Sequence, residues 1–452
     1  MGRRSHTRNL ALWMNGDRVG TWSHSPAAEE LRYDDAWVAS PRGRPLSLSL
    51  PFRPGNPAHR GAPVQAYFEN LLPDSRPIRQ RIAQRFRANS TDAFDLLAEV
   101  GRDCAGALYI APVDTAPEEG RCIDAEPLDE AAVARLLRAT GPTRVAGSLF
   151  EEQDELRISI AGAQEKTALL WHEGRWWRPT GMTPTTHILK LPLGRVGNMQ
   201  LDLSDSVDNE WLCALILQAF GLPVARCHPL QFEDHRVLVV ERFDRRWAND
   251  GPRGPWLVRL PQEDMCQATA TPPDLKYEAD GGPGIDTILG LLNASEDRER
   301  NREVFFRAQF LFWLLCAPDG HAKNFSIALQ AGGRFTLAPL YDVMSAYPVL
   351  GEGPGRLSPH QVRVAMAVRS KNTHWRMGEI RRRHWSAMGR RNGVVGANGQ
   401  APDAMVQDMI ERAGPALESV CSALPPDFPA ALFESVRSGV LAAARAVQLE
   451  AL

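Results

Sequence analysis

The sequence predicts an α+β fold in two unequal parts, β-rich in its N-terminal half and mainly helical in its C-terminal lobe. Three observations carry this. Up to about residue 245 the chain is dominated by short apolar runs separated by turn residues. After about residue 260, longer stretches with a 3.6-residue apolar period take over. The 452 residues, 44% hydrophobic and 23% charged, have ordinary globular composition and suffice for two or three domains.

Residues 1–113 mix strand-like runs, "LALWMNG" and "LSLSLPF", with turn-rich segments. "AYFENLLPDSRPIRQRIAQRF" starts as a helix and is expected to be interrupted around Pro73 and Pro77, where an N–H is missing and the ring crowds the turn before it. The polar connector "PVDTAPEEGRCIDAEPLDE" reads as a boundary or long loop, giving an N-terminal α/β subdomain over residues 1–150.

Residues 151–250 read as a small β-rich lobe. "LRISIAG" and "KTALLWH" look like two strands joined by a tight loop, and Glu173-Gly174 turns the second into "RWWRP". "THILKLP" is another short strand. "SVDNEWLCALILQAFGLP" is a helix: Val207, Trp211, Ala214 and Leu215 share a face, Gly221 stands where a left-handed C′ residue belongs, and Pro223 forbids continuation. "HRVLVVERFDRR" is a buried strand with a charged exit. Residues 251–452 form a mainly helical lobe, broken by a hairpin-like insert at 324–342.

Bulk numbers exclude several classes. Net charge is −2, so any nucleic-acid contact must be local. Seven scattered cysteines without a CxxC give neither a disulfide framework nor a zinc site and fit a reducing cytosol. The longest clean apolar run, Phe310 to Ala317, is far too short to span a bilayer, and no signal-length apolar segment follows the basic N-terminus, so a cytoplasmic protein with no membrane partner is expected.

The chemistry centres on "LFWLLCAPDGHAKNFSIAL". An apolar helix with Val304, Phe305, Ala308, Leu311, Phe312 and Leu315 on one face stops at Pro318, and Asp319, His321, Lys323 and Asn324 come within the next six residues. Phosphoryl transfer needs an acid that orients the attacking hydroxyl, ligands for Mg²⁺, and a cation on the nucleotide phosphates. In kinases a D-x-x-x-x-N loop supplies the acid and one ligand; "DGHAKN" has that spacing. By spacing alone, which many loops share, a solvated turn with a capping Asp is the better reading. The rigid helix before it and the strand, Gly-Gly turn and strand after it favour a catalytic loop, with Asp342 as second metal ligand in a D-V-M rather than a D-F-G tripeptide.

Upstream, "ISIAGAQEKTALL" offers small residues, Ala161, Gly162 and Ala163, whose backbone N–H groups could approach phosphate oxygens, although with one glycine it is a poor match to G-x-G-x-x-G and, taken alone, reads better as an ordinary hairpin. Lys190 lies in an otherwise apolar strand, where an unpaired ammonium is costly. It is either the cation for the phosphates or an edge-strand lysine pointing to water. Glu210, early in the next helix, is its candidate partner. The backbone of Glu241, Arg242 and Phe243 comes after the last small-lobe strand and is the candidate adenine hinge. A small β lobe followed by a helical one, with these parts in this order, is the layout of protein-kinase-like bilobal folds.

Together these motifs resemble the HipA serine/threonine kinase toxins of bacterial toxin–antitoxin modules. The matching stretches are "RPLSLSLPF", "NLLPDS", "FDLLAEVGRD", "RISIAGAQEKTALL", "GMTPTTHILKLP", "LDLSDSVDNE", "VERFDRRW", "VRLPQEDMCQ", "KYEADGGPGI", "DGHAKNF" and "YDVMSAYPVLG", in order from about residue 45 to 351. The resemblance implies ATP and Mg²⁺ as cofactors, with Asp319 as catalytic base and Asn324 and Asp342 as metal ligands. It places Ala161, Gly162, Ala163, Gln164, Glu165, Lys166 and Lys190 on the phosphates, Glu241 to Phe243 on adenine, and His321, Ala322, Lys323, Asn324, Tyr341 and Asp342 on the nucleotide. Ser159 matches the serine the family autophosphorylates. The implied target is glutamate–tRNA ligase. The implied partner is HipB, a small helix-turn-helix antitoxin with which the kinase would co-repress its own operator, giving nucleoid association in that complex. Arg390 and Arg391, in the basic "RMGEIRRRHWSAMGRRNG", are the candidate DNA contacts, though a solvated helix face is the usual meaning of such a run and a second basic position of the family falls near Gly393. Pro318 stands where the resemblance would place a threonine, which removes no catalytic group. A kinase-like small-molecule phosphotransferase and a non-catalytic co-repressor are the competing readings.

Overall fold

The computed structural model describes residues 7–26, 28–115, 121–140, 164–197 and 199–449. The expected "LRISIAG" strand, Ser159, Ala161, Gly162 and Ala163 lie outside the described residues.

The N-terminal part is built on a five-stranded antiparallel sheet of β1 (Arg8–Met14), β2 (Asp17–His24), β3 (Glu29–Tyr33), β4 (His59–Arg60) and β5 (Leu108–Pro112), ordered β4-β3-β2-β1-β5. Asn15 and Gly16, at φ +50° and +89°, make the tight β1–β2 turn. Helices α1 (Asp35–Ala39), α2 (Ala62–Glu69), α3 (Arg76–Phe86) and α4 (Ala93–Val100) complete it. Its core is anchored by Trp22 stacked on Phe68 at 3.7 Å. The expected interruption is there: Pro77 sits in the first turn of α3, where its missing N–H costs nothing, and residues 70–75 separate α2 from α3. "LSLSLPF" is not a strand. Its polar groups turn instead to the C-terminal lobe: the Leu48 N–H donates to Glu263, and the Ser47 and Ser49 hydroxyls donate to the Gln267 carbonyl.

The small lobe is a six-stranded sheet ordered β12-β13-β9-β7-β8-β6. Its strands are β6 (Ala125–Leu128), β7 (Lys166–His172), β8 (Arg175–Pro179), β9 (His187–Lys190), β12 (Cys227–Phe232) and β13 (His235–Glu241), and α5 (Glu130–Thr140) precedes β7. Residues 125–140 therefore do not belong to the N-terminal subdomain expected over 1–150. β6 pairs with β8, and Val133, Leu136 and Leu137 of α5 bury their apolar stripe on Leu169, Leu189, Val237 and Val239 of this sheet. β10 (Gly194–Val196) and β11 (Leu201–Leu203) form a small hairpin before α6 (Ser206–Ala219), which ends as expected with Gly221 at φ +80°. The hairpin of β14 (Arg245–Gly251) and β15 (Gly254–Arg259) leads into the large lobe.

The large lobe contains β16 (Gln262–Asp264), α7 (Met265–Ala268), α8 (Ile285–Leu291), α9 (Arg298–Leu314), β17 (Ser326–Leu329) and β18 (Phe335–Leu337), then β19 (Arg363–Arg369), β20 (Thr373–Arg376), α10 (Arg382–Arg391), α11 (Pro402–Ala423) and α12 (Ala430–Leu449). α9 is buried well beyond the single expected face: Phe306, Phe310 and Leu314 are as enclosed as Phe305 and Leu311, and Trp313 is buried too. An apolar helix packed all round is a core element, so the loop leaving its C-terminus starts from a rigid base. The expected hairpin exists as β17–β18, turning at Gly332 and Gly333, and β16 extends it to three strands. The β19–β20 hairpin had no counterpart among the sequence-based expectations. All seven cysteines are free, and among the described residues no helix is long and apolar enough to cross a membrane.

Candidate active site

The deep cleft between the lobes encloses about 1310 Å³, its open mouth included. Its small-lobe wall carries two lysines in register: β7 pairs with β9 so that Lys166 faces Lys190 across the sheet. Like charges directly opposite repel unless anions lie between or beyond them. Lys190 is 6% exposed and has two such partners, donating to Glu210 Oε1 at 2.6 Å and to Asp342 Oδ1 at 2.8 Å. The expected Lys190–Glu210 pair is therefore formed, and the edge-strand alternative is not. Burial would depress the Lys190 ammonium, but Asp342 and Glu210 outweigh it and hold it above its ordinary value. Burial likewise opposes ionisation of Asp342, yet Lys190 and Lys166 hold that carboxyl well below the usual range. For Glu210 burial wins and raises it. Lys166 is less well compensated: burial, then Lys190, push it down to about 8.

The large-lobe wall starts where α9 ends. Asp319 is exposed, with its side chain 58% accessible at the mouth. The Asn324 Nδ2 donates to the Asp319 carbonyl at 2.8 Å and to the Asp342 carbonyl at 3.4 Å. This explains the five-residue spacing. The amide closes the loop on its own acid and ties it to the segment bearing Asp342. Asp342 itself has φ +61°, unusual for a residue with a Cβ and held there by its surroundings. With the Asn324 nitrogen committed, Oδ1 is the atom it can offer a cation. That oxygen and the Asp342 carboxylate are hard donors of the kind Mg²⁺ prefers. Two such oxygens would suit an ion that keeps several waters and shares substrate phosphates.

Other expected residues separate into those at the cleft and those away from it. Gln164, Lys166, His321, Lys323 and Tyr341 line it. Tyr341 is fixed by its hydroxyl, which meets Ser326 at 2.6 Å and the Lys323 carbonyl at 2.9 Å. Lys323 is buried and committed to Asp74 at 2.7 Å. Glu165 does not line the cleft, because Arg81 holds its carboxylate. Ala322 does not line it either; it is wholly buried in the large-lobe core. Glu241, Arg242 and Phe243 of the expected hinge do line the cleft. Ile188, Ala225, Val240, Phe243, Tyr341 and Met344 supply a flat apolar slot beside this hinge. The N–H groups of Glu241 and Arg242, however, are spent within the sheet on the Arg226 and Thr186 carbonyls, both at 2.8 Å. The Arg242 guanidinium is buried against Asp103 at 3.1 Å and Asp244 at 2.8 Å, a structural network shared with Arg245 that ties the N-terminal subdomain to the hinge. Arg390 and Arg391 lie on α10, not at the cleft, and are engaged by Asp403 and Asp286 respectively.

Sequence reasoning missed Asp74, Lys276 and Tyr277. Asp74 accepts from both Lys323 and Lys276, and burial is outweighed by these two ammoniums, which lower its carboxyl. The Tyr277 hydroxyl donates to Asp319. "NLLPDS" and "KYEADGGPGI" were the available signals, but no spacing rule connects them to the catalytic loop.

Comparison with known proteins places this architecture. Residues 158–417 match the model of the HipA-like C-terminal domain, and residues 10–111 match that of the HipA N-terminal domain. The chain belongs to the HipA family. It is 36% identical over 350 residues to Y4mE of Sinorhizobium fredii, which bears a provisional kinase name, covering 76% of this chain and 79% of that one. It is 26% identical over 359 residues to the serine/threonine-protein kinase toxin HipA of Shewanella oneidensis, covering 75% and 76%. The structure of HipA from the Shewanella oneidensis MR-1 complex of HipA, HipB and operator DNA superposes with a TM-score of 0.75, at 20% identity over 96% of both chains. The fold is therefore the kinase-like α+β fold expected from the sequence.

Proposed function

We propose that this HipA-family chain is a Mg-ATP-dependent serine/threonine protein kinase and the toxin of a toxin–antitoxin pair. The observation that supports this best is the pair of opposed lysines, Lys166 and Lys190, meeting Asp342 in a cleft whose far wall carries Asp319 and Asn324. Two cations on adjacent strands suit a polyphosphate, and the apolar slot beside residues 241–243 suits adenine. Asp319, accessible at the mouth, takes the proton of the attacking serine hydroxyl. Lys190 and Lys166 hold the phosphates, and Asn324 and Asp342 are the residues that would hold Mg²⁺. When bound, that ion neutralises charge on the transferring phosphoryl group. His321, Lys323 and Tyr341 support the nucleotide from the large lobe.

The finer reading rests on the family resemblance. The protein substrate is glutamate–tRNA ligase, whose phosphorylation would block tRNA charging and arrest growth. The partner is a HipB-like helix-turn-helix antitoxin, with operator DNA reached through that complex. Ser159 is the autophosphorylation site. A phosphate there adds about −1.5 to −2 charge beside the segment meant to receive ATP phosphates, switching the kinase off.

The test is transfer of label from γ-labelled ATP with Mg²⁺ to glutamate–tRNA ligase and to the chain itself, with Asp319→Gln as the folded control. Transfer that disappears in the control supports the reading; identical absence of transfer in both overturns it. Mass spectrometry of Ser159 after incubation with Mg-ATP checks self-modification, and unmodified Ser159 in an active enzyme refutes it. Growth arrest that persists in Asp319→Gln would instead make the chain a non-catalytic co-repressor.

A further inference from the structure

Three consecutive side chains, Lys276, Tyr277 and Glu278, reach in three directions from one short segment. Lys276 pairs with Asp74 of the N-terminal part at 2.8 Å. The Tyr277 hydroxyl donates to Asp319 Oδ1. Glu278 accepts from the Ala367 N–H at 2.6 Å and from Arg369 at 2.5 Å, both on β19. The Lys276 carbonyl also receives the Ala322 N–H at 3.3 Å, inside the catalytic loop. The glycines after the segment make this path possible. Gly281 has φ +104°, a Cβ at Gly282 would lie 2.1 Å from the Leu275 carbonyl oxygen, and one at Gly284 would lie 2.2 Å from the Glu278 carboxyl carbon. The segment is thus a strap across the catalytic loop, pinned at both ends, with Tyr277 at its centre.

Tyr277 is itself held. Its ring meets the buried His321 edge-on, with centroids 4.9 Å apart at 84°. Burial and the neighbouring Asp319 carboxylate raise its phenol above the ordinary value, so it remains a proton donor throughout the working range. A carboxylate at the mouth of a cleft, 58% accessible, would otherwise rotate freely. A fixed donor on one oxygen removes that freedom and leaves the other oxygen to meet an incoming hydroxyl. Near-attack geometry of this kind is where positioning lowers a barrier.

We propose that Tyr277 is a positioning residue for phosphoryl transfer. It fixes the Asp319 carboxylate by holding Oδ1, and the Lys276 and Glu278 anchors set its own place. The proposal rests on the reading of Asp319 as the base. The strap gives that base a mechanical tie to both the N-terminal part and the β19–β20 hairpin.

The experiment compares the full chain with Tyr277→Phe, which removes one oxygen and keeps the ring. Two readouts are needed. The first is steady-state transfer to the acceptor protein, where kcat falls about tenfold or more and KM for ATP stays within about twofold. The second is binding of a non-hydrolysable ATP analogue, whose Kd stays within about twofold of the wild-type value. Unchanged kcat in Tyr277→Phe overturns the proposal, and so does a loss shared equally by ATP affinity. If the wild-type chain itself transfers nothing while the analogue binds both proteins alike, the phosphotransfer reading is what has failed, and the positioning role falls with it.

Discussion

Lys190 and Asp342, 152 residues apart in the chain, meet at 2.8 Å inside the cleft, and Glu210 takes the same ammonium from the other side. The small lobe supplies the cation and the large lobe one anion, so this contact ties the two lobes together. Lys190→Met keeps the length of the side chain and deletes its charge. Breaking a buried pair by removing one partner leaves an uncompensated carboxylate, at a cost of about 3–5 kcal/mol. Chemical denaturation should report that loss, and label transfer should fall to the level of Asp319→Gln. The pH dependence has a definite sign. A carboxyl held below its unfolded value binds fewer protons when folded, so Asp342 contributes stability above about pH 4 that is lost as acid protonates it. In Lys190→Met the carboxyl loses its main counter-charge, so this acid-dependent loss of stability should shrink relative to wild type.

Lys166 makes a second prediction because its charge is incompletely balanced. Burial and Lys190 push it to about 8, so near pH 8–9 a substantial fraction is neutral in the free protein. Phosphate oxygens arriving between the two lysines favour the ammonium and raise it. Nucleotide binding should therefore take up protons in this range. Titration calorimetry in buffers of different ionisation enthalpy measures the uptake directly. In Lys166→Met the uptake should vanish and affinity should weaken. Equal heats across buffers in the wild type would show that Lys166 does not meet the phosphates.

The legibility of each feature in the sequence depends on whether its cause is local. "KTALLWHEGRWWRP" was readable as two strands because Glu173 and Gly174, at φ +49° and +76°, satisfy a local turn requirement. The helix of residues 206–219 and the Gly332–Gly333 hairpin were readable for the same local reason. The convergence of Asp319 and Asn324 follows from local spacing, because one hydrogen-bonded loop holds them, and Asn324 reaches on to the Asp342 carbonyl. Asp74 and Tyr277 were not readable, since each acquires its role from a contact with a distant segment. The strand expected at "LSLSLPF" failed because its alternation serves a polar seam with Glu263 and Gln267 rather than a sheet. The side chains of Glu165 and Ala322 turn away from the cleft because adjacency in a motif does not say which way a side chain points.

That polar seam gives a third prediction. Glu263 is 1% exposed, accepts the Leu48 N–H at 2.8 Å through one oxygen, and has no partner for the other among the described residues. Burial pushes its carboxyl up to about 8. A folded state that keeps a proton the unfolded chain releases is stabilised at low pH. This contribution is complete below about pH 4.5 and is lost as pH rises toward 8, at up to about 1.4 kcal/mol per unit. Glu263→Gln retains an oxygen for Leu48 and cannot ionise. Its Tm should decline less than that of wild type between pH 5 and 8, and the two profiles should diverge most at pH 8. Parallel profiles would mean that Glu263 ionises without cost.

Gly320, between Asp319 and His321, tests whether the catalytic loop is as rigidly seated as α9 implies. A Cβ at this position would lie 2.5 Å from Cδ2 of Phe312 and 3.0 Å from Cε2. Phe312 is 4% exposed and stacks on Phe325 at 5.5 Å, so its ring has little room to retreat. In Gly320→Ala the loop must move instead. Overpacking of this kind costs about 1–3 kcal/mol, which denaturant titration would detect. The functional cost should exceed the stability cost. Asp319 is displaced along with the methyl, while Lys190, Lys166 and the apolar slot are untouched. Nucleotide affinity should therefore hold nearly constant as kcat falls by about a hundredfold, the scale expected when reacting groups are misplaced by about 1 Å. A variant that loses nucleotide affinity in proportion would show that the loop and the phosphate wall move as one body. That result would mean that the bond from Asn324 to the Asp342 carbonyl carries the displacement across to Lys190.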